Sequence, residues 1–364
     1  MTIEYRRSLD PMIPYVPGRS LDEVKNEYGL KEVVKLASNE NPIGCSPKAK
    51  EAVIASLEES GLYPDGNCTR LRKLLSKRLA VKQTELIFGC GADELISFIG
   101  KAFINPGDEC ITAECTFSQY EASVCSMGGV MSYAPMKDHG FDLEAISSLV
   151  TEKTKAVFLA NPNNPTGTAF TADEQNRLLE KIPSNVLAII DEAYGEFVDM
   201  PNYPDTLALI GKYPNLIWLK TFSKIYGLAS LRVGYAAASE EIISLMEKVR
   251  PPFNVTIQGQ AAAEAAYQDA EHVSKSFLSN LSVKNSTCKA LDEMGISYIP
   301  SQANFIMLDC GIDSRTAFVD LMKKGYITRP GYPFKMDSYL RVTIGTQKQM
   351  EGFIKALGEV LGRS

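Results

Sequence analysis

TFSKIYGLASLRVG, residues 221–234, decides how this 364-residue chain is read. It follows a short apolar run, Leu216–Leu219, with the composition of a buried strand. A hydroxyl-rich turn then presents one lysine, Lys224. Arg232 comes eight residues later, beside the apolar segment Val233–Ala238. A lysine between two buried strands is costly, because its surroundings must compensate its charge or shift its pKa. Lysine chemistry supplies a reason to accept that cost. A desolvated amine forms a Schiff base with an aldehyde, and pyridoxal 5'-phosphate is a cofactor that carries one. Thr221, Ser223 and Arg232 are then the donors for its phosphate. Alone, the stretch also fits a surface loop with an ordinary lysine, so the rest of the chain has to decide.

The composition is that of a folded soluble protein, 45% hydrophobic and 23% charged, and the length suggests two domains. A net charge of −6 disfavours nucleic acid as a partner. The N-terminus has no secretory apolar core, and no apolar run approaches the roughly 18 residues of a membrane span. The eight cysteines include no C-x-x-C pair, which suits reduced thiols and a cytoplasmic location. With two histidines, His139 in a turn and His272 in a polar helix, a histidine-based zinc site or a Ser-His-Asp triad has little support. No metal is expected.

Residues 1–30 read as a proline-broken arm and a first helix, contributing to a small domain. Ser46 and Pro47 mark a capped helix start. From residue 86 to about 240, short apolar strands alternate with helices. Strands of this kind are buried on both faces, which predicts an α/β fold with a mainly parallel central sheet in a large cofactor domain, 31–249. Right-handed crossovers bring the strand C-termini to one edge, where ligands bind. After RPPFNVT, a proline-broken hinge, a long helical region 258–291 precedes mixed strands and helices. These predict a smaller α+β domain, 250–364.

The candidate chemistry collects at strand ends. Asp191 closes the apolar run of VLAIIDEAYGEF, and a buried aspartate needs a cationic or protonated partner. A pyridinium nitrogen is one, and the pairing keeps the ring able to accept electrons. Tyr194, three residues on, and Asn164 in NPNNPTG are placed to hydrogen-bond the ring's phenolic oxygen. Pro162 and Pro165 stiffen the turn that carries Asn164. Gly91-Ala92-Asp93 opens a helix after a strand, where free N–H groups and the helix dipole favour a phosphate. Phe117 follows the next strand and can stack on a flat ring. Arg341 in YLRVTIGT is a strand-borne arginine suited to a carboxylate, and Arg329 lies twelve residues earlier. Each has a plainer reading, as helix cap, connector, core ring or surface charge.

Taken together, YVPG, KLASNENPIG, YPDG, GADE, NPNNPTG, DEAY, TFSKIYGLASLRVG, RPPFN, ANFIML and LRVTIGT resemble, over nearly the whole chain, the fold-type I aminotransferases. The histidinol-phosphate aminotransferase family is the most similar branch. The resemblance implies that Lys224 binds pyridoxal phosphate covalently and later moves the substrate proton. It implies that Asp191 pairs the ring nitrogen, that Asn164 and Tyr194 bind the ring oxygen, and that Phe117 stacks where many relatives have tyrosine. Ala92, Asp93, Thr221, Ser223 and Arg232 are the implied phosphate ligands. Tyr63 is implied to reach the phosphate of a partner subunit, hence a homodimer with shared sites. Arg341 is implied to take an α-carboxylate, with Tyr15 and Arg329 on a distal phosphate. RPGYPFKMDS, after Arg329, departs from the family's usual loop. The implied reaction is L-histidinol phosphate plus 2-oxoglutarate giving imidazole acetol phosphate and glutamate. An aromatic aminotransferase or a threonine-phosphate decarboxylase is the alternative within the fold. A noncatalytic doubly wound binding protein is the alternative outside it, but leaves the polar residues at the strand ends without a reason.

Overall fold

A computed structural model describes residues 3–10, 12–14 and 18–363. The alternation of apolar strands with helices becomes a seven-stranded sheet. Its order is Leu86–Gly89, Gly234–Ala238, Leu216–Thr221, Leu187–Asp191, Thr154–Ala160, Glu109–Ala113 and Val130–Ala134. Gly234–Ala238 is antiparallel to both neighbours, and every other pairing is parallel.

Two cores form because successive strand residues point to opposite faces. Phe88, Val157, Ile190, Trp218 and Tyr235 pack on one side with Leu71, Leu178 and Ala262. Ile87, Phe158, Ile189, Ile217 and Ala236 pack on the other with Ile96, Tyr120 and Ile243. The C-terminal ends Ala160, Asp191 and Thr221 therefore share one edge. Gly234 joins them, since its strand runs the other way and begins opposite Thr221. Glycine is required there, because a Cβ would lie 2.6 Å from the backbone nitrogen of Ala92. The helix Ala92–Phe103 thus starts directly against the sheet edge.

The second sheet is antiparallel, in the order Tyr298–Ile299, Phe305–Asp309, Tyr339–Thr343 and Arg329–Pro330. Pro330 sits on its edge strand, where a missing N–H breaks no ladder. The helix Gln347–Leu361 and the buried face of Ser314–Lys323 cover this sheet.

Several boundaries differ from the sequence reading. Two short strands flank Thr328. Tyr326–Ile327 pairs with Val34–Lys35, while Arg329–Pro330 turns to pair with Arg341 and Leu340. The helical region 258–291 is two helices, Ile257–Tyr267 and Ala270–Glu293, separated where Asp269 leaves helical conformation at φ −99°, ψ 70°. The Asp269 carboxylate there accepts a hydrogen bond from Lys48 at 3.1 Å. Ala262, Ala263 and Ala266 bury into the core of the large sheet, so the helix Ile257–Tyr267 packs against that sheet. Ser46 caps its helix as expected, accepting from Ala49 N–H at 3.2 Å. All eight cysteines are free, and no helix among the described residues is long and apolar enough to cross a membrane.

Candidate active site

The shared edge of the large sheet and the facing strands of the small one enclose a cavity of about 590 Å³. Lys224, Asp191, Tyr194, Asn164, Phe117, Ala92, Asp93, Thr221, Ser223, Arg232, Arg329 and Arg341 all line it, so residues spread over some 250 positions meet in one place.

Lys224 is half-buried in the turn after strand Leu216–Thr221. Its Nζ donates to the Ser38 carbonyl at 3.3 Å and stands 5.4 Å from the centre of the Tyr194 ring. Asp191, the last residue of its strand, is 5% exposed. Its Oδ1 accepts the Ala193 N–H at 3.0 Å and its Oδ2 the Tyr120 hydroxyl at 2.8 Å. Burial pushes this carboxyl up to about 6, against the pull of those two donors. Such a group favours a protonated ring nitrogen as its partner.

Below the lysine lies a cluster of anion donors. Thr221 Oγ1 donates to Ser223 Oγ at 3.0 Å, and Arg232 Nη1 donates to the same Ser223 oxygen at 3.3 Å. Arg232 Nη2 is 3.4 Å from the Asp93 carboxylate. Gly91, at φ +80°, leaves the room for this guanidinium, since a Cβ there would lie 2.3 Å from Arg232 Nη2. The first turn of helix Ala92–Phe103 adds unpaired backbone N–H groups beside these side chains.

On the small-domain side, Arg341 is buried. Its Nη1 donates to Asn164 Oδ1 at 2.5 Å and its Nη2 to the Ala37 carbonyl at 2.6 Å. Because the Asn164 oxygen is engaged, its amide NH2 is the end available to a ring oxygen. The Tyr194 hydroxyl accepts from Asn39 Nδ2 at 2.9 Å. Asn39 is itself fixed by Thr343 at 2.9 and 3.1 Å and by Asn304 at 3.0 Å. Arg329 stands directly across the ladder from Arg341.

Tyr63 is expected at the site of a partner subunit and not at this chain's own. Tyr63 is 82% exposed, stacked on Phe253 with ring centres 4.9 Å apart, and does not line this chain's cavity. Tyr15 lies outside the described residues. The sequence reading missed Tyr120 and Asn39. Tyr120 had the signal of falling one helical turn after Phe117, and Asn39 that of standing in the polar run SNENP. It also missed the wall made by Pro333 and Phe334, which belong to the atypical loop after Arg329. Among the described residues no cluster of His, Cys, Asp and Glu could hold a metal ion.

This fold and this arrangement are those of an aminotransferase. The family model for aminotransferase class I and II matches residues 31–357, and the chain belongs to that family. It is 47% identical to the histidinol-phosphate aminotransferase of Caldicellulosiruptor saccharolyticus over 98% of this chain and 100% of that one. It is 45% identical to that of Moorella thermoacetica, over 98% and 92%. Among solved structures, the histidinol-phosphate aminotransferase of Sinorhizobium meliloti in complex with pyridoxal-5'-phosphate superposes with a TM-score of 0.91. That match has 26% identity and covers 100% of this chain and 98% of the other.

Proposed function

We propose that the chain is a pyridoxal-phosphate-dependent enzyme of histidine biosynthesis. It transfers the amino group of L-histidinol phosphate to 2-oxoglutarate, giving imidazole acetol phosphate and L-glutamate. The reading is carried by the meeting of Lys224, Asp191 and the Arg232 cluster in one cavity, in a chain collinear with its histidinol-phosphate aminotransferase relatives.

The residues fit the cofactor. A buried, desolvated carboxylate suits a pyridinium N–H, and the space left by Gly91 lets Arg232 face a phosphate at a helix N-terminus. When bound, pyridoxal phosphate supplies an aldehyde for amine capture and a ring that takes up electrons from the substrate α-carbon. Thr221, Ser223, Arg232 and the N–H groups of Ala92 and Asp93 hold the phosphate. Asp191 holds a proton on the ring nitrogen. The Tyr194 hydroxyl and the Asn164 amide donate to the ring oxygen, and Phe117 covers a ring face. Lys224 Nζ takes the α-proton from the donor and returns a proton at the other end of the transfer.

Substrate chemistry separates the two arginines. Glutamate and 2-oxoglutarate carry an α-carboxylate, which Arg341 takes. L-Histidinol phosphate has no carboxylate; its amine-bearing carbon carries a CH2–O–phosphate arm that reaches further, toward Arg329. Tyr15 is the second candidate for that phosphate. Tyr63, exposed on one chain, serves the site of a second copy in a homodimer, and the free cysteines suit the cytoplasm.

The test is turnover. Purified protein with added cofactor should form glutamate from L-histidinol phosphate and 2-oxoglutarate faster than from phenylalanine or tyrosine. Preference for the aromatic donors, or carbon dioxide release from threonine phosphate, would assign the site to the other chemistry.

A further inference from the structure

Tyr120 is absent from the roles above, yet it is the side chain that binds Asp191. It lies on helix Gln119–Ser126 and is fully buried. Its ring stacks on Phe158 at 5.4 Å and 21°, and meets Phe117 edge-on at 5.6 Å and 83°. Two aromatic contacts leave its hydroxyl little freedom, and that hydroxyl donates to Asp191 Oδ2 at 2.8 Å.

A carboxylate in a dry site is a strong base. Facing a pyridinium, it tends to draw the shared proton onto itself and leave a neutral pair. A neutral pyridine nitrogen takes up electrons less readily than a protonated one. A phenol donating into the second carboxylate oxygen stabilises the ionised form and weakens it as a base. Of the groups acting on Asp191, burial and the Asp93 carboxylate favour the protonated acid. Tyr120, the Ala193 N–H and, more distantly, Lys220 on the neighbouring strand favour the ion, with Tyr120 the strongest of these. We propose that Tyr120 is a positioning residue that determines where the proton rests between Asp191 and the ring nitrogen of bound pyridoxal phosphate. This inference rests on the cofactor reading above.

The test uses Tyr120→Phe, which deletes one oxygen and keeps both ring contacts, with folding checked by near-ultraviolet circular dichroism. Apoprotein is titrated with pyridoxal phosphate, and the ring-nitrogen resonance of 15N-labelled cofactor is recorded in the complex. In the wild type the resonance should lie in the pyridinium range; in Tyr120→Phe it should move toward neutral pyridine. The dissociation constant should rise roughly ten- to hundredfold, the worth of a hydrogen bond to a charged group. In an Asp191→Asn background the same change should alter affinity by no more than about twofold, because the carboxylate it acts on is gone. An unchanged resonance and affinity, or an equal loss in both backgrounds, would overturn the proposal. A wild-type protein that binds no pyridoxal phosphate would instead defeat the cofactor reading itself.

Discussion

Arg329→Ala is the substitution that divides the phosphate-specific reading from a general one. Arg329 lines the cavity on the edge strand opposite Arg341, and its side chain is half-buried. A phosphate monoester carries nearly two negative charges near neutral pH, and arginine meets it with paired, charge-assisted hydrogen bonds. Removing one member of a desolvated pair costs about 2–5 kcal/mol, and partial exposure places this pair at the lower end. We therefore expect kcat/KM for L-histidinol phosphate to fall by about 2–3 kcal/mol of transition-state stabilisation, roughly 30- to 150-fold. Phenylalanine has an α-carboxylate for Arg341 and no second anion, so its kcat/KM should stay within about threefold. The assay is steady-state kinetics with each donor against a fixed saturating concentration of 2-oxoglutarate, in the wild type and the variant. An equal fall for the two donors would make Arg329 a structural residue and remove the physical basis for phosphate selection.

Three further outcomes are expected. Lys224→Ala should lose the cofactor adduct that borohydride traps; peptide mapping of that adduct to another lysine in the wild type would move the catalytic centre. An inactive Lys224→Ala chain mixed with an inactive Tyr63→Ala chain should regain activity through hybrid dimers, and no recovery despite proven subunit exchange would count against a shared site. The third outcome concerns pH. Asp191 is raised by burial from 3.8 to about 6, so the folded apoprotein holds this proton more tightly than the unfolded chain. Its contribution is complete at low pH and is lost as pH rises through about 6, on the order of 3 kcal/mol in all. Melting temperatures of apo wild type and apo Asp191→Asn between about pH 4.5 and 7.5 should diverge in slope with that sign, and parallel curves would contradict it.

The strand-end residues were legible because each sits next in sequence to the run that buries its strand. Asp191 follows five buried residues and Lys224 follows six, with two intervening. A parallel sheet then carries such positions to one edge without further information. What holds them was not legible, because it comes from far away along the chain. Tyr120 is 71 positions from Asp191, Asn39 is 155 from Tyr194, and Thr343 is 304 from the Asn39 it fixes. No local pattern encodes such pairings.

The same distinction explains the misplaced boundaries. Residues 326–330 form two short strands on either side of Thr328, because Tyr326–Ile327 pairs with Val34–Lys35 and Arg329–Pro330 with Arg341 and Leu340. That division has a chemical consequence. Arg329 pairs on the edge of the four-stranded sheet and not with the strand Val34–Lys35. Its turn onto the edge of the four-stranded sheet sets two guanidinium-bearing residues in register across one ladder. One is fixed at the inner position by Asn164 and Ala37, and the other stands one strand further out. That offset gives a single cavity one arginine for a carboxylate attached directly to the reacting carbon and another for an anion held further from it. The two half-reactions proposed here require both.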